Sequence, residues 1–253
     1  MDNTVVLLVT VGAIIAITVA LYYVSYLFVG SNVSTEYVHR GEIDAMNQPK
    51  EVRISESKMN QIAGYSDYSF SMWYYINDFQ TGFGKHKVFM TRGSDKNVNP
   101  LVYLDSRTNA LIVEMGYQTP TGSNDTIKCT IPDVPVQRWS HLAVNVMSNG
   151  LNVYLNGRLF RGCSVPSGNG PVASPGSSPL IILPKDKSFG EFGGKLSGIL
   201  FRNKTMSADE INALYHAGPG ASSSGLLDAI FGIKKVEFVF SDSGKDSAYS
   251  LTF

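Results

Sequence analysis

The chain opens with an uninterrupted apolar run and then turns abruptly to short alternating segments. Residues 5–29 carry no charged side chain. As a helix this run would extend close to ~37 Å at ~1.5 Å per residue, enough to cross a bilayer core of roughly 30 Å with some tilt. Its apolar positions are marked by Val5, Leu8, Ile14, Ile17, Leu21 and Val29, and Tyr22 and Tyr26 gather at its C-terminal end, where aromatic rings favour the headgroup zone. The flanking Met-Asp-Asn holds no Lys or Arg, and the run exceeds the ~7–15 apolar residues of a signal-peptide core, so it reads as a retained single-span anchor over 1–30. Residues 31–48 are polar and irregular, which predicts a juxtamembrane stalk over 31–50.

From residue 51 the period becomes two. Val52 and Ile54 alternate with polar neighbours, and Tyr68, Phe70, Met72 and Tyr74 fall on one face of a strand. Short strands follow at 87–91, 101–105, 110–115 and 126–131, the last closed by Pro132 and Pro135, which cannot donate to a ladder. Residues 139–146, 151–155 and 158–161 form a three-strand meander, and Asn156-Gly157 supplies the strongest short hairpin signal. Strands at 180–183 and 193–201 come after a Gly/Pro/Ser loop. One helix is predicted over 208–216: Ser207 caps it, Glu210 completes a capping box, and Ile211, Leu214 and Tyr215 make its buried stripe. The final segment, 219–253, suggests one or two more strands, at 235–240 and at the chain end.

Composition narrows the partners. Asp2 is the one charge ahead of the apolar run, leaving 21 basic and 20 acidic side chains after it. A near-neutral domain has no basic stripe for nucleic acid. The basic side chains Arg40, Lys50 and Arg53 follow the run and none precedes it, which by the positive-inside rule orients the domain to the cytosol. Sequons at Asn32, Asn124 and Asn203 acquire meaning only on the luminal side. Cys129 and Cys163 stand at strand borders, outside any CxxC pair, and the sequence leaves open a disulfide or two small buried hydrophobes.

The order and spacing of Phe70-Ser-Met-Trp73, Trp139-Ser-His141-Leu-Ala-Val144, Val153-Tyr154-Leu-Asn156-Gly157, Gly194-Lys-Leu-Ser-Gly-Ile-Leu-Phe201 and the helix after Ser207 resemble the concanavalin A-like lectin/glucanase superfamily. The likeness is specifically to its laminin-G-like jelly roll. The resemblance implies an all-β, laminin-G-like jelly-roll β-sandwich over 51–218 with one short C-terminal helix, preceded by a single transmembrane α-helix. Within that pattern Trp73, Trp139, His141, Tyr154, Asn156 and Gly157 read as structural: Trp139 packs at a strand start, His141 is a satisfied sheet residue, and Tyr154 sends its hydroxyl to water or a loop. Some family members hold calcium at loop ends, which draws attention to Asp67, Asp95 and Asp105, but no dense carboxylate cluster accompanies them.

The glucanase branch needs two carboxylates flanking a scissile bond, and no Glu-x-Asp-x-x-Glu strand supplies them here. No catalytic residue, metal site or cofactor is therefore expected. The plan of one anchor and one jelly roll resembles membrane-tethered minor capsid proteins of large icosahedral DNA viruses. It suggests a virion inner-membrane location with the domain facing the capsid shell, and lipid bilayer and shell proteins as partners. The alternative is a cell-surface lectin-like module that binds a glycan or a protein.

Overall fold

The computed structural model describes residues 35–63, 67–173, 176, 178–220, 236–242 and 245–251, the last two stretches by backbone alone. The chain divides into two units, Met1–Val33 and Ser34–Phe253, and the described residues all belong to the second. The predicted anchor, with Val5, Leu8, Ile14, Ile17, Leu21, Tyr22, Tyr26 and Val29, lies outside the described residues. Among the described residues no helix is long and apolar enough to cross a membrane.

Two antiparallel sheets face each other. The strands are β1 (Thr35–His39), β2 (Ile43–Asp44), β3 (Val52–Ile54), β4 (Tyr68–Ile76), β5 (Lys87–Arg92), β6 (Leu101–Leu104), β7 (Leu111–Gln118) and β8 (Asn124–Ile131). They continue with β9 (Trp139–Met147), β10 (Gly150–Leu155), β11 (Arg158–Ser164), β12 (Leu180–Ile182), β13 (Gly194–Arg202), β14 (Val236–Asp242) and β15 (Lys245–Leu251). The first sheet has the order β1-β13-β4-β9-β10-β11, with β2 also on β13, and the second the order β3-β12-β5-β6-β7-β8. Period-two patterning explains the layering, because alternate side chains leave opposite faces of a strand. Phe70, Met72, Leu142, Val144 and Phe201 from the first sheet meet Phe89, Val102, Val113 and Leu180 from the second in one core.

The first sheet is buried on its outer face too. Helix α2 (Ala208–Ala217) and the segment before it lie across it, and Ala143, Tyr154, Leu200, Met206, Ile211 and Leu214 form a second core. The Asn145 side chain fastens that segment in place. Its Nδ2 donates to Met206 O (2.7 Å), and its Oδ1 accepts from Met206 N–H (2.9 Å). The capping box forms as the sequence predicts: Ser207 Oγ accepts from Glu210 N–H, and Glu210 Oε2 accepts from Ser207 N–H. Arg202, opposite Glu210 at 2.6 Å, ties the cap to β13.

Two expectations change. Residues 35–44, assigned to a stalk, form β1 and β2 on the edge of the first sheet, where Val38 and Ile43 reach the core. A second short helix, α1 (Glu56–Ala63), buries Met59, Ile62 and Ala63. Arg92 underpins it: its guanidinium donates to Ala63 O (2.7 Å), Asn60 Oδ1 (2.7 Å) and Ser178 O (3.0 Å), so this buried cation has its hydrogen bonds met. At the C-terminal end, β14 and β15 pair with each other as a separate two-stranded sheet.

Candidate functional site

The residues of the family-like motifs assemble a scaffold. Trp73 on β4 and His141 on β9 are register partners with ring centroids 5.0 Å apart, and Tyr215 of α2 stacks on Trp73 at 5.8 Å. The Tyr154 ring is buried beneath α2. Trp139 is half-buried with its ring edge against Tyr75. Asn156 and Gly157 both take positive φ (50° and 80°), as the hairpin turn requires. The Asn156 side chain also accepts from His141 N–H at 2.8 Å, clamping the turn to β9.

One expectation for this group is corrected. His141 is not a satisfied sheet residue: it is 1% exposed, and among the described residues its Nδ1 has no hydrogen-bond partner. Burial alone pushes its pKa down to about 3, so the ring is neutral across the physiological range.

The alternative left open for the cysteines is resolved in favour of pairing. Cys129 on β8 and Cys163 on β11 form a disulfide that joins the edge strand of one sheet to the edge strand of the other. The carboxylates considered for calcium serve their own loops. Asp67 Oδ1 accepts from Ser148 N–H, and Asp95 opens the 3-10 turn Asp95–Asn97. Asp105 works against burial and is held at about 2 by the N–H groups of Arg107 and Thr108 and the Thr108 hydroxyl. Among the described residues no three His, Cys, Asp or Glu side chains converge as a metal site would require.

The structure adds a feature absent from the sequence motifs. A cleft of about 620 Å³ opens where the β4–β5 loop meets the β12–β13 loop. Phe83, Lys85, Lys185, Lys187, Phe189 and Glu191 line it. Its base is two backbones in contact. A Cβ on Gly82 (φ +66°) would stand 2.5 Å from Glu191 O, and one on Gly190 would stand 2.7 Å from Gly82 O, so only glycine lets the loops meet. Hydrogen bonds lock them: Gly190 N–H donates to His86 O (2.9 Å), Asn77 N–H to Gly193 O (2.8 Å) and Lys85 Nζ to Lys187 O (2.8 Å). The Thr81 N–H holds the Asp78 carboxyl below its usual range, and the Ser188 hydroxyl and N–H do the same for Asp186. Phe192, packed against core Phe89 with ring centroids 4.5 Å apart, anchors the floor.

On this fixed frame Phe83 is 60% exposed, a large apolar ring on the rim of a cleft with mixed polar and apolar lining. A solvent-facing aromatic ring beside convergent polar groups can stack on the C–H face of a sugar or seat an apolar side chain, while ammonium groups and backbone atoms fix orientation. The acids of the cleft, Asp186 and Glu191, come from the same loop.

A family model described as the concanavalin A-like lectin/glucanases superfamily matches residues 51–212, more than half of the chain. The chain belongs to that superfamily, in a laminin-G-type branch, and its fold is lectin-like. Among solved structures it is similar to the botulinum neurotoxin serotype D ligand binding domain in complex with N-acetylneuraminic acid, with 12% identity, a TM-score of 0.52, and cover of 73% of this chain and 46% of that one. It also matches the botulinum neurotoxin serotype C1 binding domain at 16% identity and TM-score 0.48, covering 73% of this chain and 47% of that one. The chain thus spans about half the length of the solved structures it matches. At these identities the likeness concerns the fold. No curated protein sequence matches the chain significantly.

Proposed function

We propose that the domain is a non-enzymatic binding module that holds a glycan in the cleft between the β4–β5 and β12–β13 loops and acts from a membrane-tethered position on the oxidising side of the bilayer. The observation that carries this reading is the exposed Phe83 ring on a rim whose backbone is locked by glycine contacts and cross-loop hydrogen bonds. Such a frame needs no ordering on binding. Membership of a superfamily with lectin-like folds supports a carbohydrate ligand, and the serotype D domain named above is described with N-acetylneuraminic acid bound. The Cys129–Cys163 disulfide supports the oxidising side, because disulfides rarely persist in the cytosol. It outweighs the weak charge asymmetry around the apolar run. The test is a glycan array, neutral and sialylated, probed with the full chain and with Phe83→Ser. Retention of a discrete set of glycans by the wild type and their loss in the variant support the reading; an empty array, or one unaffected by Phe83→Ser, refutes it.

The uncharged run at 5–29 ahead of a near-neutral domain favours a second reading, a minor capsid protein that links a virion inner membrane to its shell. The shell-facing side of such a membrane is topologically cytosolic, so the disulfide counts against it. Co-sedimentation of the native protein with a large shell-bearing particle, before any detergent, would support this role, and migration with ordinary vesicles would remove it.

A further inference from the structure

We propose that the tip of the β10–β11 hairpin is a docking element for an anionic lipid surface. β11 is the last strand of the first sheet, and its start exposes two large apolar side chains in succession, Leu159 (58%) and Phe160 (41%). Arg158 and Arg161 flank them and are exposed as well, and the Arg161 guanidinium lies over the Phe160 ring, 5.7 Å from its centroid. Residues 150–164 contain these two cations and no acidic side chain.

An exposed edge strand can recruit another strand, but two features oppose that here. The register shifts between Val153 and Tyr154, leaving Phe160 as the extra residue of a bulge, and the strand carries like charges; both devices keep sheet edges from extending. The apolar side chains are therefore left for a contact made by side chains. A bilayer interface fits the chemistry. Apolar side chains settle at the headgroup–acyl boundary, while arginines keep their heads among the phosphates and bind them through paired N–H groups.

The tip is held ready for this. Asn156 and Gly157 fix the turn, the Asn156 side chain is bonded to β9, and the far end of β11 is tied to β8 through Cys163. Strand registers also set where it faces. Leu155 pairs with Leu142, Trp139 with Tyr75 and Gly194 with Ile76, so the hairpin tip and the β4–β5 and β12–β13 loops lie toward one end of the strands. Thr35 pairs with Arg202 at the other end. The lipid surface engaged is accordingly one that the domain meets with the end opposite Thr35.

The test uses the full chain reconstituted in phosphatidylcholine nanodiscs and mixed with sedimentable vesicles, either pure phosphatidylcholine or containing ~30 mol% phosphatidylserine. The wild type is expected to sediment with the phosphatidylserine vesicles only. Arg158→Glu with Arg161→Glu is expected to weaken this by at least roughly thirty-fold, since each surface arginine contributes about a factor of five. Leu159→Ser with Phe160→Ser is expected to weaken it as well. These positions are exposed, and an unchanged unfolding midpoint would verify the fold of each variant. Wild-type protein that stays in the supernatant, variants that sediment like wild type, or sedimentation only after addition of a second protein would each overturn the proposal.

Discussion

Lowering the pH from 7 to 4 removes a defined increment of stability through His141. In the unfolded chain this side chain takes a proton as the pH falls through about 6.5. In the folded domain burial delays protonation to about 3. The folded-state pKa of this base is depressed, so between those values the unfolded state binds more protons, and stability falls with falling pH. The contribution is complete above pH 6.5 and is lost progressively down to pH 3. The limiting slope is about 1.4 kcal/mol per pH unit, so a drop to pH 4 removes on the order of 3 kcal/mol. Urea unfolding at a series of pH values measures it, with His141→Phe as the comparison because a phenyl ring can keep the ring contacts with Trp73 and Tyr215 without a titrating nitrogen. Every other titratable group is common to both proteins, so the difference between the two curves isolates His141. Parallel curves, or a His141 resonance that titrates near 6.5 in the folded protein, would refute the reasoning.

Further expectations concern the frame. Replacing Cys129 and Cys163 by Ala should lower stability by about 4 kcal/mol, the loop-closure value for a 34-residue separation, and urea unfolding with and without reductant should reproduce it in the wild type. Gly82→Ala should abolish binding of any glycan found on the array, because its Cβ would collide with the Glu191 backbone at a positive φ; retained affinity by calorimetry would show that the loops need not touch. Ser207→Ala should cost about 1 kcal/mol by unbalancing the capping box, as read from the urea midpoint. Leu200→Ala, fully buried under α2, should cost about 2–5 kcal/mol in the same assay.

The strands most legible in the sequence were those with one buried face and tight turns. Tyr68, Phe70, Met72 and Tyr74 alternate with Ser69, Ser71 and Trp73, and Asn156-Gly157 marks its hairpin through a backbone conformation few other pairs tolerate. The outer layer of the first sheet was hidden by the same alternation. Ser69 and Ser71 look solvent-facing but are buried, with the Ser69 hydroxyl donating to Lys204 O. β1 resembles a stalk because Thr-Glu-Tyr-Val-His puts a single buried residue, Val38, on an edge strand. Helix α1 has eight residues and three buried side chains, too few for a helical period to stand out. The cleft had no local signature, since Gly82 and Glu191, which meet at its base, are far apart in the chain. The available hint was the glycines of the two loops, of which Gly82 and Gly190 let the backbones meet.

The most direct test of a glycan-binding cleft is hydrogen exchange on the intact chain, with and without the tightest glycan from the array. The account predicts slowed exchange in residues 79–86 and 183–192, and no change there for Phe83→Ser at the same glycan concentration. Protection confined to the outer face of the first sheet, or to β11, would contradict it.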